Sequence, residues 1–188
     1  GDALSKECEA VFASQGDQLS HTPMMGVQLS RICTAPLVVH GKKALEDLRE
    51  KKVSYELEQV TLDIIISTGL VSNMVSSAPD YYYNSSLAHC VYYGSTVTKG
   101  GHLHLHGEVV ALGVLCLAKE FEERDKISEF NLSMGLPVCF DDIEVSEDEF
   151  DAMAEKALTT TEWEFRPKNS SVTKEGFIQC MKETNAYG

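Results

Sequence analysis

The 188-residue chain lacks the glycine-rich turns that cradle phosphates: neither GxGxxG nor GxxxxGK[ST] occurs in it. A dinucleotide or P-loop site within these residues is therefore not expected. CxxC pairs are also missing, and the six cysteines (Cys8, Cys33, Cys90, Cys116, Cys139 and Cys180) are scattered, several among apolar neighbours. That usage reads as reduced thiols acting as small hydrophobes in a cytoplasmic protein. Long apolar runs are absent. The longest, Val109 to Ala118, is far short of the ~20 residues that span a bilayer, and no signal-peptide pattern opens the chain. Positive charge is scarce, with 16 Lys+Arg against 29 Asp+Glu and a net charge of −13. Sequence-independent nucleic-acid binding needs the opposite balance. Five prolines and 13 glycines are too few for a loop-dominated fold.

What is present is helical periodicity. Asp2 to Ala13 places Leu4, Cys8, Val11 and Phe12 on one side. Gln28 to Lys51 carries apolar residues at helical spacing, with a kink or break expected at Pro36. Ser54 to Ser76 forms a second long segment, stopped by Pro79-Asp80. Ser85 to Val97 reads as a helix, and Thr98 to Gly101 as a loop. Gly107 to Glu122 is apolar nearly all round, which implies a central, buried helix. A helix within Phe130 to Cys139 ends in a turn at Gly135-Leu136-Pro137. Ser146 with Glu149 forms a capping box ahead of a helix reaching Ala157. Thr159 to Val172, with the only Trp, reads as loop, and a last helix runs from Thr173 or Lys174 to about Glu183. No run of three or more alternating strands appears. The expected class is all-α, with seven to eight helices around one core.

Residues suited to chemistry are few. Four of the six histidines lie between His89 and His106, three of them in His102-Leu103-His104-Leu105-His106. Alternate residues share a face only in extended chain, so at most one or two of these can serve one ion. His106 stands apart because it immediately precedes the buried helix. On the residues alone, His89 is either a hydrogen-bonded core histidine or a ligand. Asp2 is either a carboxylate favoured at a helix N-terminus or a ligand.

The segment Ser86-Leu87-Ala88-His89-Cys90-Val91-Tyr92-Tyr93-Gly94-Ser95-Thr96, followed by His106-Gly107-Glu108-Val109-Val110-Ala111-Leu112-Gly113, resembles the paired histidine motifs of the iron-containing (group III) alcohol dehydrogenases, glycerol dehydrogenase branch. Gly1-Asp2-Ala3-Leu4 is similar to the segment holding that family's metal aspartate, and Gly135-Leu136-Pro137 before Asp141-Asp142-Ile143 fits a downstream pattern. The resemblance implies Asp2, His89 and His106 as metal ligands. It implies a dehydroquinate synthase-like C-terminal domain over residues 1–188, with the N-terminal NAD-binding α/β domain absent from this chain. A start at the metal aspartate, without an initiator Met, then reads as a fragment that is inactive alone. Two imidazoles and one carboxylate suit Zn²⁺, with Fe²⁺ possible, and leave coordination positions open as in catalytic sites. The implied reaction is NAD-dependent oxidation of glycerol or another vicinal diol by hydride transfer, the metal acting as Lewis acid.

Two departures bear on this reading. Lys6 stands where iron-using relatives have a further histidine, which favours the three-ligand zinc type. Tyr92-Tyr93 replaces a His-Asn pair of many glycerol dehydrogenases, which leaves a hydroxycarboxylate-reducing relative open. A non-catalytic metal-binding or oligomerisation module on the same fold, and a plain helical scaffold, are the remaining alternatives. An apolar face left by the missing domain implies self-association into a homo-oligomer.

Overall fold

The computed structural model describes residues 1–118, 124–167 and 172–188. Its centre is α7 (His106–Ala118), in which every side chain from Val109 to Ala118 is buried. An all-round apolar helix has no solvent face to offer, so other helices must enclose it. Each of its Val and Leu side chains contributes about 1.5–3 kcal/mol by leaving water.

The enclosing elements are α6 (Leu87–Ser95), α1 (Asp2–Ala13), α8 (Arg124–Met134) and α11 (Lys174–Tyr187). Next to α6 lies α9 (Phe150–Ala157), where Phe150 and Phe140 meet edge to face at 4.7 Å. A smaller apolar cluster of Ala10, Ala13, Val27, Cys33, Val71, Val75 and Tyr83 joins α1 to α2 (His21–Leu29) and α5 (Thr68–Val75). On the outside α3 (Ala35–Arg49) packs along α4 (Tyr55–Leu62).

Local chemistry accounts for most boundaries. Pro36 stands in the first turn of α3, so the expected break falls between a short 3-10 turn, Ser30–Cys33, and that helix. Ser54 Oγ accepts from Leu57 N at 3.2 Å and starts α4. The end of α8 is closed by Leu136 N donating to Asn131 O (2.8 Å) and Gly135 N to Leu132 O (3.2 Å), the Schellman pattern. The Ser146–Glu149 capping box is present and leads into α9.

Among the described residues there are eleven α-helical segments, more than expected, for three reasons. Helix α2, with its weak apolar periodicity, escapes the sequence pattern. The segment from Tyr55 to Val75 is one helical rod divided by a π turn, Asp63–Ser67. The stretch read as loop from Thr159 contains α10 (Thr161–Glu164), capped by Thr160 and fixed by Trp163 against Phe177. A two-stranded hairpin, Ser76–Ser77 with Tyr81–Tyr82, turns at Pro79-Asp80. The predicted continuation of α7 to Glu122 and residues 168–171 of the predicted loop lie outside the described residues. No helix among the described residues is long and apolar enough to cross a membrane. The six cysteines form no disulfide with one another.

Candidate metal centre

Three helix starts bring the site together. The first residue packs so closely on the first turn of α7 that a Cβ on Gly1 would lie 1.6 Å from Gly107 O. That contact sets Asp2, the first residue of α1, beside His106, the first residue of α7. Leu105 N donates to Glu108 Oε2 at 2.9 Å and fixes the first turn of α7. His89 arrives from the first turn of α6, which runs along α7.

Asp2 Oδ1 lies 3.2 Å from His89 Nε2 and 3.4 Å from His106 Nε2. The ligand atoms of Asp2, His89 and His106 all fall within 4.8 Å of one another. Ligands at Zn–N and Zn–O distances near 2.1 Å in a tetrahedron are separated by about 3.4 Å, so the two short spacings fit the donor set that the sequence implies. His89 is buried, whereas the side chains of Asp2 and His106 are 45% and 41% exposed. The site is walled on one side and open on the other. Tyr92 lines the rim, its ring edge-on to His106 at 4.2 Å between centroids.

His102 and His104 stay outside this cluster. His102 Nδ1 lies 3.1 Å from Thr98 O, and His104 Nδ1 lies 3.7 Å from Glu108 Oε2. The expected divergence of the alternating histidines is what the backbone produces.

The strongest electrostatic feature was not read from the sequence. Glu9, wholly buried, brings Oε2 to 2.7 Å from His89 Nδ1 and accepts with Oε1 from Ser86 N (2.6 Å) and His89 N (3.0 Å). Burial disfavours its charge, but His89 and the two amides outweigh it and hold the carboxyl below its ordinary range. For His89, burial pulls the imidazole down, but Glu9 and Asp2 together push it up to about 10. The hydrogen bond from His89 holds Asp2 well below the usual carboxylate range, against burial and with help from Lys6 and His106. Lys6 is buried too, donating through Nζ to Asn84 O (2.9 Å) and Asn84 Oδ1 (2.8 Å), and burial lowers its ammonium. Helical spacing carried a signal for this network: Asp2, Lys6 and Glu9 recur at i, i+4 and i+7 on one face of α1.

No protein-family model matches the chain. Among curated proteins it is similar to a glycerol dehydrogenase of Thermotoga maritima, 28% identical over 199 residues covering 100% of this chain and 52% of the relative. A glycerol dehydrogenase of Pseudomonas putida is 28% identical over 79% of this chain and 40% of its own length. Among solved structures, a probable glycerol dehydrogenase from Sinorhizobium meliloti aligns with TM-score 0.81 and 22% identity over 99% of this chain and 53% of the other. Glycerol dehydrogenase from Schizosaccharomyces pombe gives 0.80 and 18% over 99% and 48%. The chain therefore spans about half the length of the relatives it matches. Along its whole length the chain is similar to glycerol dehydrogenases, the branch that its histidine motifs resemble, and it carries the all-α fold of the part it matches.

Proposed function

We propose that the chain is the metal- and substrate-binding half of an NAD-dependent glycerol or vicinal-diol dehydrogenase of the cytoplasm. The observation that carries this reading is the meeting of Asp2, His89 and His106, from three helix starts, at one half-open point. Two imidazoles and a carboxylate suit Zn²⁺ and, second, Fe²⁺. When bound, such an ion would supply Lewis-acid polarisation of an alcohol hydroxyl.

The chain's own side chains do the positioning. Asp2 contributes negative charge, and burial of His89 gives the site a rigid wall. Tyr92 closes one side of the His106 ring, and the exposed sides of Asp2 and His106 leave access for a small polyol. NAD would be held by a second, nucleotide-binding region, since these 188 residues contain no phosphate-cradling glycine turn. The chain by itself then binds metal without transferring hydride.

Zinc stoichiometry tests the reading. We expect close to one Zn per chain, lost in His89→Ala and in His106→Ala with helical content unchanged. Full zinc content in both variants would overturn it. Glycerol-dependent NAD reduction on mixing with a nucleotide-binding half would separate the enzyme reading from a non-catalytic module.

A further inference from the structure

Glu9 is placed to choose which nitrogen of His89 faces the metal point. It lies two turns from Asp2 on the same face of α1, wholly buried, and both of its oxygens are engaged. Oε1 takes two backbone N–H groups at the start of α6, those of Ser86 and His89. Oε2 is engaged by His89 Nδ1, at 2.7 Å. A carboxylate accepts and cannot donate, so Nδ1 must carry a proton. In the neutral ring that a metal ion requires, the lone pair then falls on Nε2, on the side where Asp2 Oδ1 stands 3.2 Å away.

We infer that Glu9 is a positioning residue for the metal centre: by accepting the Nδ1 proton of His89 it fixes the tautomer and ring orientation that present Nε2 to the ion. This rests on the metal reading above. Partners of this kind are worth roughly 10–100-fold in metal affinity.

Glu9→Gln separates this role from capping. The amide oxygen of glutamine still accepts from Ser86 N and His89 N, so α6 keeps its cap. The amide NH₂ then faces Nδ1 and donates, which forces Nδ1 to accept and moves the ring proton to Nε2, where the ion would bind. Zinc affinity of wild type and Glu9→Gln would be measured by competition with a chelator, alongside circular dichroism and thermal melting. The expected result is an intact fold and about 10–100-fold weaker zinc binding. Wild-type affinity in a folded Glu9→Gln overturns this inference alone. Failure of the wild-type chain to bind zinc overturns the metal reading and this inference with it.

Should Glu9→Gln not fold, imidazole ¹⁵N spectra of the zinc-loaded wild type decide instead. A protonated Nδ1 and a metal-bound Nε2 on His89 support the role, and an unprotonated Nδ1 overturns it.

Discussion

Gly113 of α7 lies directly against the backbone of Ala88 in α6: a Cβ at Gly113 would sit 2.4 Å from the Ala88 carbonyl oxygen. Backbone cannot yield as a flexible side chain can, so any larger residue must separate the two helices. His89 is the next residue along α6, and the spacing between α6 and α7 sets its distance from His106. We expect Gly113→Ala to destabilise the fold by about 1–3 kcal/mol. It should weaken zinc binding at the same time, although it touches no ligand. Chemical denaturation and a zinc titration on one preparation check both effects.

Burial of Asp63 gives a pH dependence with a definite sign. Both carboxylate oxygens are buried, and burial, opposed by Ser67 beside the carboxyl, pushes the group from 3.8 to about 6. The folded chain therefore binds this proton more tightly than the unfolded chain does. No penalty exists below the unfolded value. As pH rises from about 4 through about 6 the folded form must give up that proton and bury the charge, and stability falls. Asp63→Asn should melt above wild type at pH 8, with the difference gone by pH 4. Equal melting gaps at the two pH values would contradict this.

Asn131 tests the link between α8 and the central helix. Its Nδ2 donates to Ala111 O (3.2 Å) and Pro137 O (3.3 Å), and the residue is wholly buried. Asn131→Ala removes both hydrogen bonds, at a cost of about 1–3 kcal/mol. Zinc affinity should be unchanged, since no ligand lies on α8. Urea midpoints and zinc titration measure the two quantities separately.

Leu62, Ile64, Ile65, Ile66 and Leu70, in and beside the π turn, are exposed. Exposed apolar side chains of that kind promote association. We expect sedimentation velocity to show concentration-dependent self-association, reduced in Ile65→Lys with Ile66→Lys. A wild-type chain that stays monomeric at high concentration would count against it.

Much of this fold was legible in the sequence, and particular residues show why. The all-round apolar run from Val109 to Ala118 could only be central, and Pro36 and the Ser146–Glu149 box mark boundaries through local sterics and capping. The π turn was not legible, because Asp63 to Ser67 has no Pro, Gly or capping signal to mark it; in the fold Thr68 Oγ1 donates to Asp63 O across it at 3.2 Å. The one-turn helix at Thr161–Glu164 was missed because Trp163 is held by Phe177, far along the chain. Of the candidate site, Asp2, His89 and His106 came from motif resemblance, and the structure brings their ligand atoms together. Glu9 was not legible because charged residues at helical spacing ordinarily mark a solvent face, whereas Lys6 and Glu9 of α1 are buried.

The Glu9 carboxylate holds the Ser86 and His89 amides and the His89 ring at once. Loosening of α1 and loss of the ligand geometry are consequently a single opening event rather than two. The amide protons of Ser86 and His89 should exchange with solvent at one common rate, and that rate clocks how often the site falls apart and re-forms.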